Sequence, residues 1–173
     1  VHKGKTIFVG DTSVHEYPTS EQMAEIAIST ARVVRLFGFE PKVAFVSHST
    51  FGQPLTSRTK HIRKAVDILK EQKVDFEFDG DMQPDVALNS EYKELYPFSN
   101  IVGKANILIM PGQHSAAISY KMMKTLGDTK VIGPLLIGLG LPIEIAPLRS
   151  STSELINLAS VAAYSADIID YKK

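Results

Sequence analysis

Residues 107–112 read Ile107-Leu108-Ile109-Met110-Pro111-Gly112. Four apolar residues, two of them β-branched, are cut off by Pro-Gly, the pattern of a short buried strand. Residues 116–126 follow as a helix, with Gly127 as its stop. Strand, break and helix in succession is the unit from which parallel sheets are built.

The same order recurs upstream. Thr6-Ile7-Phe8-Val9 is a buried strand ended by Gly10, and residues 11–18 form a loop. Thr19 opens a helix with Gln22 three positions on, a capping box. Met23, Ala27, Thr30, Val34 and Phe37 keep helical spacing until Gly38. Residues 43–46 are a second strand, and residues 47–57 a hydroxyl-rich loop. Ile62, Ala65, Val66 and Leu69 make the next helical stripe. Phe76 and Phe78 alternate with charges, which predicts a half-exposed strand running into Asp79-Gly80-Asp81.

Downstream, residues 90–96 are expected to form a short helix and residues 131–146 one or two short strands. A second capping box, Ser151-Thr152-Ser153-Glu154, starts a last helix through Leu155, Leu158, Ala162, Ala166 and Ile169. Strands alternating with helices predict an α/β fold, a three-layer sandwich around a mainly parallel sheet. Residues 1–173 are read as one unit without repeats or linkers.

Composition narrows the function. Of 173 residues, 44% are apolar and 22% charged, as in an ordinary globular domain. Nineteen basic residues balance nineteen acidic ones, which excludes a wholly basic nucleic-acid binder. No cysteine is present, so disulfides and thiolate nucleophiles are excluded. The most apolar run, residues 131–147, is interrupted by Gly133, Pro134, Gly138, Gly140, Pro142 and Glu144, so no membrane partner is expected. His2, His15, His48, His61 and His114 show no pair at metal spacing and are read as surface or loop residues, with no metal site. Dinucleotide, phosphate-loop and serine-hydrolase motifs are missing. The chain starts at Val1, without a signal peptide pattern, and reads as a piece of something longer.

In a parallel sheet, ligands bind beyond the carboxyl ends of the strands. The segments expected there are Asp11-Thr12-Ser13, residues 47–52, Asp79-Gly80-Asp81 and residues 111–115. Their hydroxyls and amides suit an anionic or phosphorylated ligand, although the same residues also make turns and caps. Ser47, Ser49 and Lys121 are the candidates for the anion end. Arg149 could hold a phosphate or simply be a solvated cation. Glu154 could act as a general base or only cap its helix.

Taken together, several segments resemble the phosphate acetyl/butyryltransferase family. They are Asp11-Thr12-Ser13-Val14 with residues 18–27, residues 43–52, residues 79–88, residues 103–111, Ile118-Ser119-Tyr120-Lys121 and residues 133–138. The resemblance spans roughly residues 6–166 and keeps the order of motifs. The sequence is more similar to the C-terminal transacetylase-like domain of bacterial NADP-dependent malic enzymes than to free-standing transacetylases. Phe51 stands where transacetylases have lysine; Leu126-Gly127-Asp128, residues 150–153 and Ile156-Asn157 also look like the malic-enzyme form.

The resemblance implies the isocitrate/isopropylmalate dehydrogenase-like fold of phosphotransacetylases, here in part. That fold has two α/β domains with the site in the cleft between them, and its first part would lie upstream of Val1. Acetyl-CoA or coenzyme A is the implied ligand, and an acyl-CoA or phosphate the implied small-molecule partner. NADP and a divalent metal would serve the malic-enzyme region of the parent. The rest of that parent chain and a second copy in a homo-oligomer are the implied protein partners, in the cytoplasm. Transacetylases carry Ser-Arg-Gly before the last helix and an aspartate in its first turn, to hold the anion and deprotonate the thiol. Counted back without gaps, those positions are Leu148 and Glu154; Arg149 is one residue late, and Ala117 replaces an asparagine. On a helix one residue turns a side chain by about 100°. The departures imply a ligand-binding, regulatory module without transacetylase turnover; an active phosphate acetyl/butyryltransferase and a structural oligomerisation domain are the alternatives.

Overall fold

The computed structural model describes residues 1, 4–127, 129–139 and 141–168, leaving aside the side chains of Lys93, Asp167 and Ile168. His2, Asp128, Gly140 and Ile169, cited above, lie outside the described residues. Four strands form one sheet: β1 (Phe8–Gly10), β2 (Lys42–Val46), β3 (Glu77–Met82) and β4 (Ile107–Ile109). Their order is β1-β4-β2-β3 and every pairing is parallel. Helices α1 (Ser20–Leu36) and α2 (Ser57–Glu71) connect the first three strands. A short helix α3 (Pro84–Leu88) and a 3₁₀ turn (Ser90–Leu95) lead to β4, and helices α4 (Gln113–Leu126) and α5 (Thr152–Ile168) follow.

The alternation of side chains along β2 divides the core. Val43 and Phe45 join Ile107 and Ile109 under Met23, Ala27 and Val34 of α1 and Ile62, Val66 and Leu69 of α2. Ala44 and Val46 face the other way with Leu108, covered by Met82, Ala87, Ile101 and Ala105. Each large side chain buried this way contributes about 1.5–3 kcal/mol. The capping box read at Thr19 and Gln22 is present, with both reciprocal bonds formed. Among the described residues, no helix is long and apolar enough to cross a membrane.

Two expectations need correction. Asp79-Gly80-Asp81 does not follow the third strand but lies within its buried carboxyl-terminal part. Gly80 pairs with Phe45, and a Cβ on Gly80 would sit 2.7 Å from the Phe45 Cβ, so glycine answers a close approach rather than a turn. The register then skips from Gly80 to Met82, which leaves Asp81 outside the ladder, as at a β-bulge. Second, residues 131–146 form no strand among the described residues, because neither edge of the four-stranded sheet pairs with them.

Candidate functional site

Because all four strands are parallel, Asp11, Ser47, Gln83 and Met110 follow them at one edge of the sheet. Asp11 takes a positive φ of 46° and its carboxylate accepts from the amides of Val14 (2.8 Å) and His15 (3.0 Å). The same carboxylate pairs with Nδ1 of His15, which leaves that ring's Nε2 free among the described residues. Glu16 and His114 approach to 3.5 Å, and the His114 ring stacks on Tyr17. The loop after β1 therefore leans on the start of α4. A Cβ on Gly112 would come within 2.6 Å of the Glu16 carbonyl oxygen, so this contact requires glycine.

The loop after β2 is organised around Asp81, which is fully buried. Its carboxylate accepts from the Ser49 hydroxyl and from the Gly52 amide at 3.1 Å, and its carbonyl accepts from Phe51 N at 2.6 Å. Ser49 is itself fully buried and lies 3.3 Å from the Ser47 hydroxyl. Ser47 is half-buried. Of the two candidate serines, Ser47 is therefore the one open to solvent, while Ser49 holds the loop to β3. Phe51 packs on Phe98 and Tyr96, with ring centroids 4.8 and 5.4 Å away. Position 51, where the resemblance leads one to expect lysine, is here part of an aromatic cluster.

The second constellation lies where α4 meets α5. An open, shallow recess is lined by Lys124, Val131, Ile132, Gly133, Pro147, Ser150, Glu154, Asn157 and Leu158. The capping box at its rim is formed: the Glu154 carboxylate accepts from Ser151 N at 2.8 Å, and Glu154 N donates to the Ser151 hydroxyl at 3.3 Å. Lys124 donates to the same carboxylate at 2.6 Å. The ammonium beside it, with help from the Ser151 donors, holds the Glu154 carboxyl down at about 2. A carboxylate so stabilised is a weak acceptor of a thiol proton at neutral pH. Nearby, burial raises the Glu144 carboxyl above its ordinary value, although the Leu136 amide donates to it at 3.1 Å.

Arg149 is exposed in the turn before α5, without an ion pair among the described residues, and Leu148 beside it is fully exposed. Lys121 is exposed on α4, one helical turn before Lys124. The structure thus gathers Glu154 and Arg149 around the start of α5, and Ser47 and Ser49 in one loop. No contact among the described residues joins these two groups. Asp11 and Asp81 stand in segments expected at this edge, but the contact of Asp81 with the loop after β2 and the pairing of Asp11 with His15 were missed in the sequence. The spacing of the latter was visible, but i, i+4 is a meaningful contact only on a helix, and here a loop makes it.

Among the described residues no cluster of three or more His, Asp or Glu side chains could hold a metal ion.

Comparison with known proteins places the chain. The family model "Phosphate acetyl/butaryl transferase" matches residues 1–163. The chain is 49% identical to an NADP-dependent malic enzyme of Rhizobium meliloti over 95% of its own length, but spans 22% of that enzyme. It is 35% identical to a phosphate acetyltransferase of Clostridium acetobutylicum, covering 92% of itself and 49% of the relative. The crystal structure of a phosphotransacetylase from Streptococcus pyogenes superposes with a TM-score of 0.88 at 32% identity, covering 95% of this chain and 50% of that one. The chain thus spans about a fifth of the malic enzyme and about half of the two transacetylases.

Proposed function

The chain belongs to the phosphate acetyl/butaryl transferase family, and from that premise we propose that it is a ligand-binding module of an NADP-dependent malic enzyme. Its ligand is acetyl-CoA or coenzyme A, and its role is to regulate the parent rather than to transfer acetyl groups. The high identity to the Rhizobium meliloti malic enzyme supports the choice of parent. The observation that carries the second half is the state of Glu154. The carboxylate at the position of the expected base is occupied by Lys124 and by its own helix cap. With Leu148 at the position of the arginine, neither partner of a thiol attack is available.

Ser47, Lys121 and Arg149 are the proposed contacts for the anion end of the ligand, and Ser49 supports Ser47 from below. The recess beside α5 is too shallow and open to enclose a coenzyme A molecule by itself. It suits one end of the ligand, with the remainder held by other parts of the parent.

Calorimetric titration of the full-length parent with acetyl-CoA, coenzyme A and acetyl phosphate tests the reading. Acetyl-CoA is expected to bind, and at a hundred times the dissociation constant to stabilise the fold by about 2.7 kcal/mol. Thioester formation from coenzyme A and acetyl phosphate is expected to stay far below a typical turnover of about 10 per second. Leu148→Arg alone should not restore it, because the reacting groups must be placed together. Binding without turnover supports the proposal; turnover near the typical value makes the chain a working transacetylase.

A further inference from the structure

Phe51, in the loop after β2, belongs to an aromatic surface left open to solvent. The rings of Phe51, Tyr96 and Phe98 touch one another, with centroids 4.8, 5.4 and 6.2 Å apart. Phe51 and Tyr96 are half-buried, but Phe98 is 64% exposed, and Leu55 and Leu95 are exposed as well. Tyr96 also lines an open recess with Val86, Ala87 and Ile101. The edge-to-face packing of Phe51 on Phe98 fixes the outer ring in place. Phe51 itself takes a φ of 49°, a conformation uncommon for a bulky side chain and concentrated at ligand clamps.

A cation stands at the same loop. Arg63 of α2 donates to the Phe51 carbonyl at 3.4 Å, and a Cβ on Gly52 would come within 2.5 Å of its Nη1. A guanidinium has several further donors to offer. Lys64 and Lys70 of the same helix are paired with Glu21 and Asp67, whereas Arg63 has no ion pair among the described residues. Lys60, one turn earlier, is likewise exposed and unpaired among them. The first turn of α2 has no acidic residue, so Lys60 works against the helix dipole.

An open aromatic ring and an unpaired guanidinium, joined through Phe51, match a purine nucleotide. The base stacks on the ring and a phosphate takes the guanidinium. We propose that Phe98 and Arg63 form a subsite for an adenosine bisphosphate group, with the adenine on Phe98 and the ribose phosphate on Arg63. The inference rests on the acetyl-CoA reading and deepens it, because it places the nucleotide end of that ligand on this chain. Ser47 lies in the same loop and then serves the pyrophosphate. Phenylalanine at position 51 has a role in this arrangement that lysine could not fill, since it supports the stacking ring.

Calorimetric titration of the full-length polypeptide that carries this chain tests the subsite with acetyl-CoA, dephospho-coenzyme A and adenosine 3′,5′-bisphosphate. The second probe lacks the ribose phosphate, and the third is the nucleotide end alone. Phe98→Ala should weaken acetyl-CoA and the bisphosphate by about tenfold. Phe98→Tyr keeps the ring and should bind like the wild type. Arg63→Met should weaken acetyl-CoA by about tenfold and leave dephospho-coenzyme A unchanged. Phe98 is exposed, so its truncation should leave the melting temperature unchanged, and lost affinity is then not a lost fold. If acetyl-CoA binds the wild type, Phe98→Ala and Arg63→Met equally, the subsite is overturned while the acetyl-CoA reading stands. If Arg63→Met weakens dephospho-coenzyme A as much as acetyl-CoA, the assignment of the ribose phosphate to Arg63 is overturned. A wild type that binds the bisphosphate through Phe98 but not acetyl-CoA keeps the subsite and overturns the acetyl-CoA reading. A wild type that binds neither overturns both.

Discussion

Residues 8–110 and residues 113–168 have similar appetites for apolar side chains and opposite fates for them. In the first region the apolar positions of α1, α2, β2 and β4 meet one another across a sheet and are almost wholly removed from water. In the second, Ala116 and Leu158 are the buried apolar residues among those described, while Leu126, Leu141 and Ile156 stand exposed. The helices themselves are equally well specified, since α1 and α5 both start in a formed capping box. What differs is the presence of a facing surface. Local signals start a helix, but most of its stability comes from the face it packs against.

The sharpest way to break that comparison is one truncation in each region. Phe45 lies at the centre of the sheet and is fully buried, so Phe45→Ala should cost about 3–5 kcal/mol. Leu139 is exposed, and Leu139→Ala in the 173-residue chain should stay within about 0.5 kcal/mol of wild type. Urea unfolding of both variants measures the difference. Equal losses would mean that residues 131–146 already pack as core, and the contrast would collapse.

A smaller effect separates the two serines of the loop after β2. Ser49→Ala removes a donor from the buried Asp81 carboxylate and should cost about 1–3 kcal/mol. Ser47→Ala leaves that carboxylate untouched and should change stability by less than about 0.5 kcal/mol. If Ser47 contacts the ligand, Ser47→Ala weakens acetyl-CoA binding in the parent at unchanged melting temperature. A stable Ser49→Ala variant would show that Asp81 does not depend on the hydroxyl. The sequence offered both residues as equal loop hydroxyls, and only the bulge in β3 distinguishes them.

That difference shows what could be read before the fold was known. The two long helices that pack on the sheet and three of the four strands were legible, because each rests on a period or a cap within one stretch of chain. The end of β3 was not: Asp79-Gly80-Asp81 has the composition of a turn and becomes a strand only through distant partners. Asn100 N donates to Asp79 at 2.7 Å, and Ser49 and Gly52 supply Asp81. At the candidate site, the Ser151–Glu154 cap was legible from its spacing, while the Lys124 partner lies thirty residues away. The strands expected at residues 131–146 are absent among the described residues, because a ladder needs a second strand as well as an apolar run.

The smallest expected effect concerns pH, and it separates two carboxylates on the exposed side of the molecule. Glu154 has an ordinary carboxyl value of 4.5 when unfolded and is held at about 2 in the fold, chiefly by Lys124. Its contribution is therefore present above 4.5 and is lost as pH falls from there toward 2. Glu144 runs the other way. Burial raises its value in the fold, so its protonated form is favoured; that contribution is present below 4.5 and fades as pH rises through the folded value. Glu154→Gln should flatten the acid limb of a stability–pH curve, and Lys124→Met should flatten it nearly as much, since the ammonium is the main cause. Glu144→Gln should instead raise stability on the neutral side, because it removes a charge the fold desolvates. Melting temperatures from pH 2 to 8 for the three variants measure these slopes, in low salt, where screening of exposed pairs is weakest. If Lys124→Met leaves the acid limb of the wild type intact, the cap rather than the ammonium governs Glu154. A carboxylate held down by its own helix cap is still a weak acceptor of a thiol proton, so the case against proton abstraction there would rest on the cap and on Leu148 rather than on Lys124.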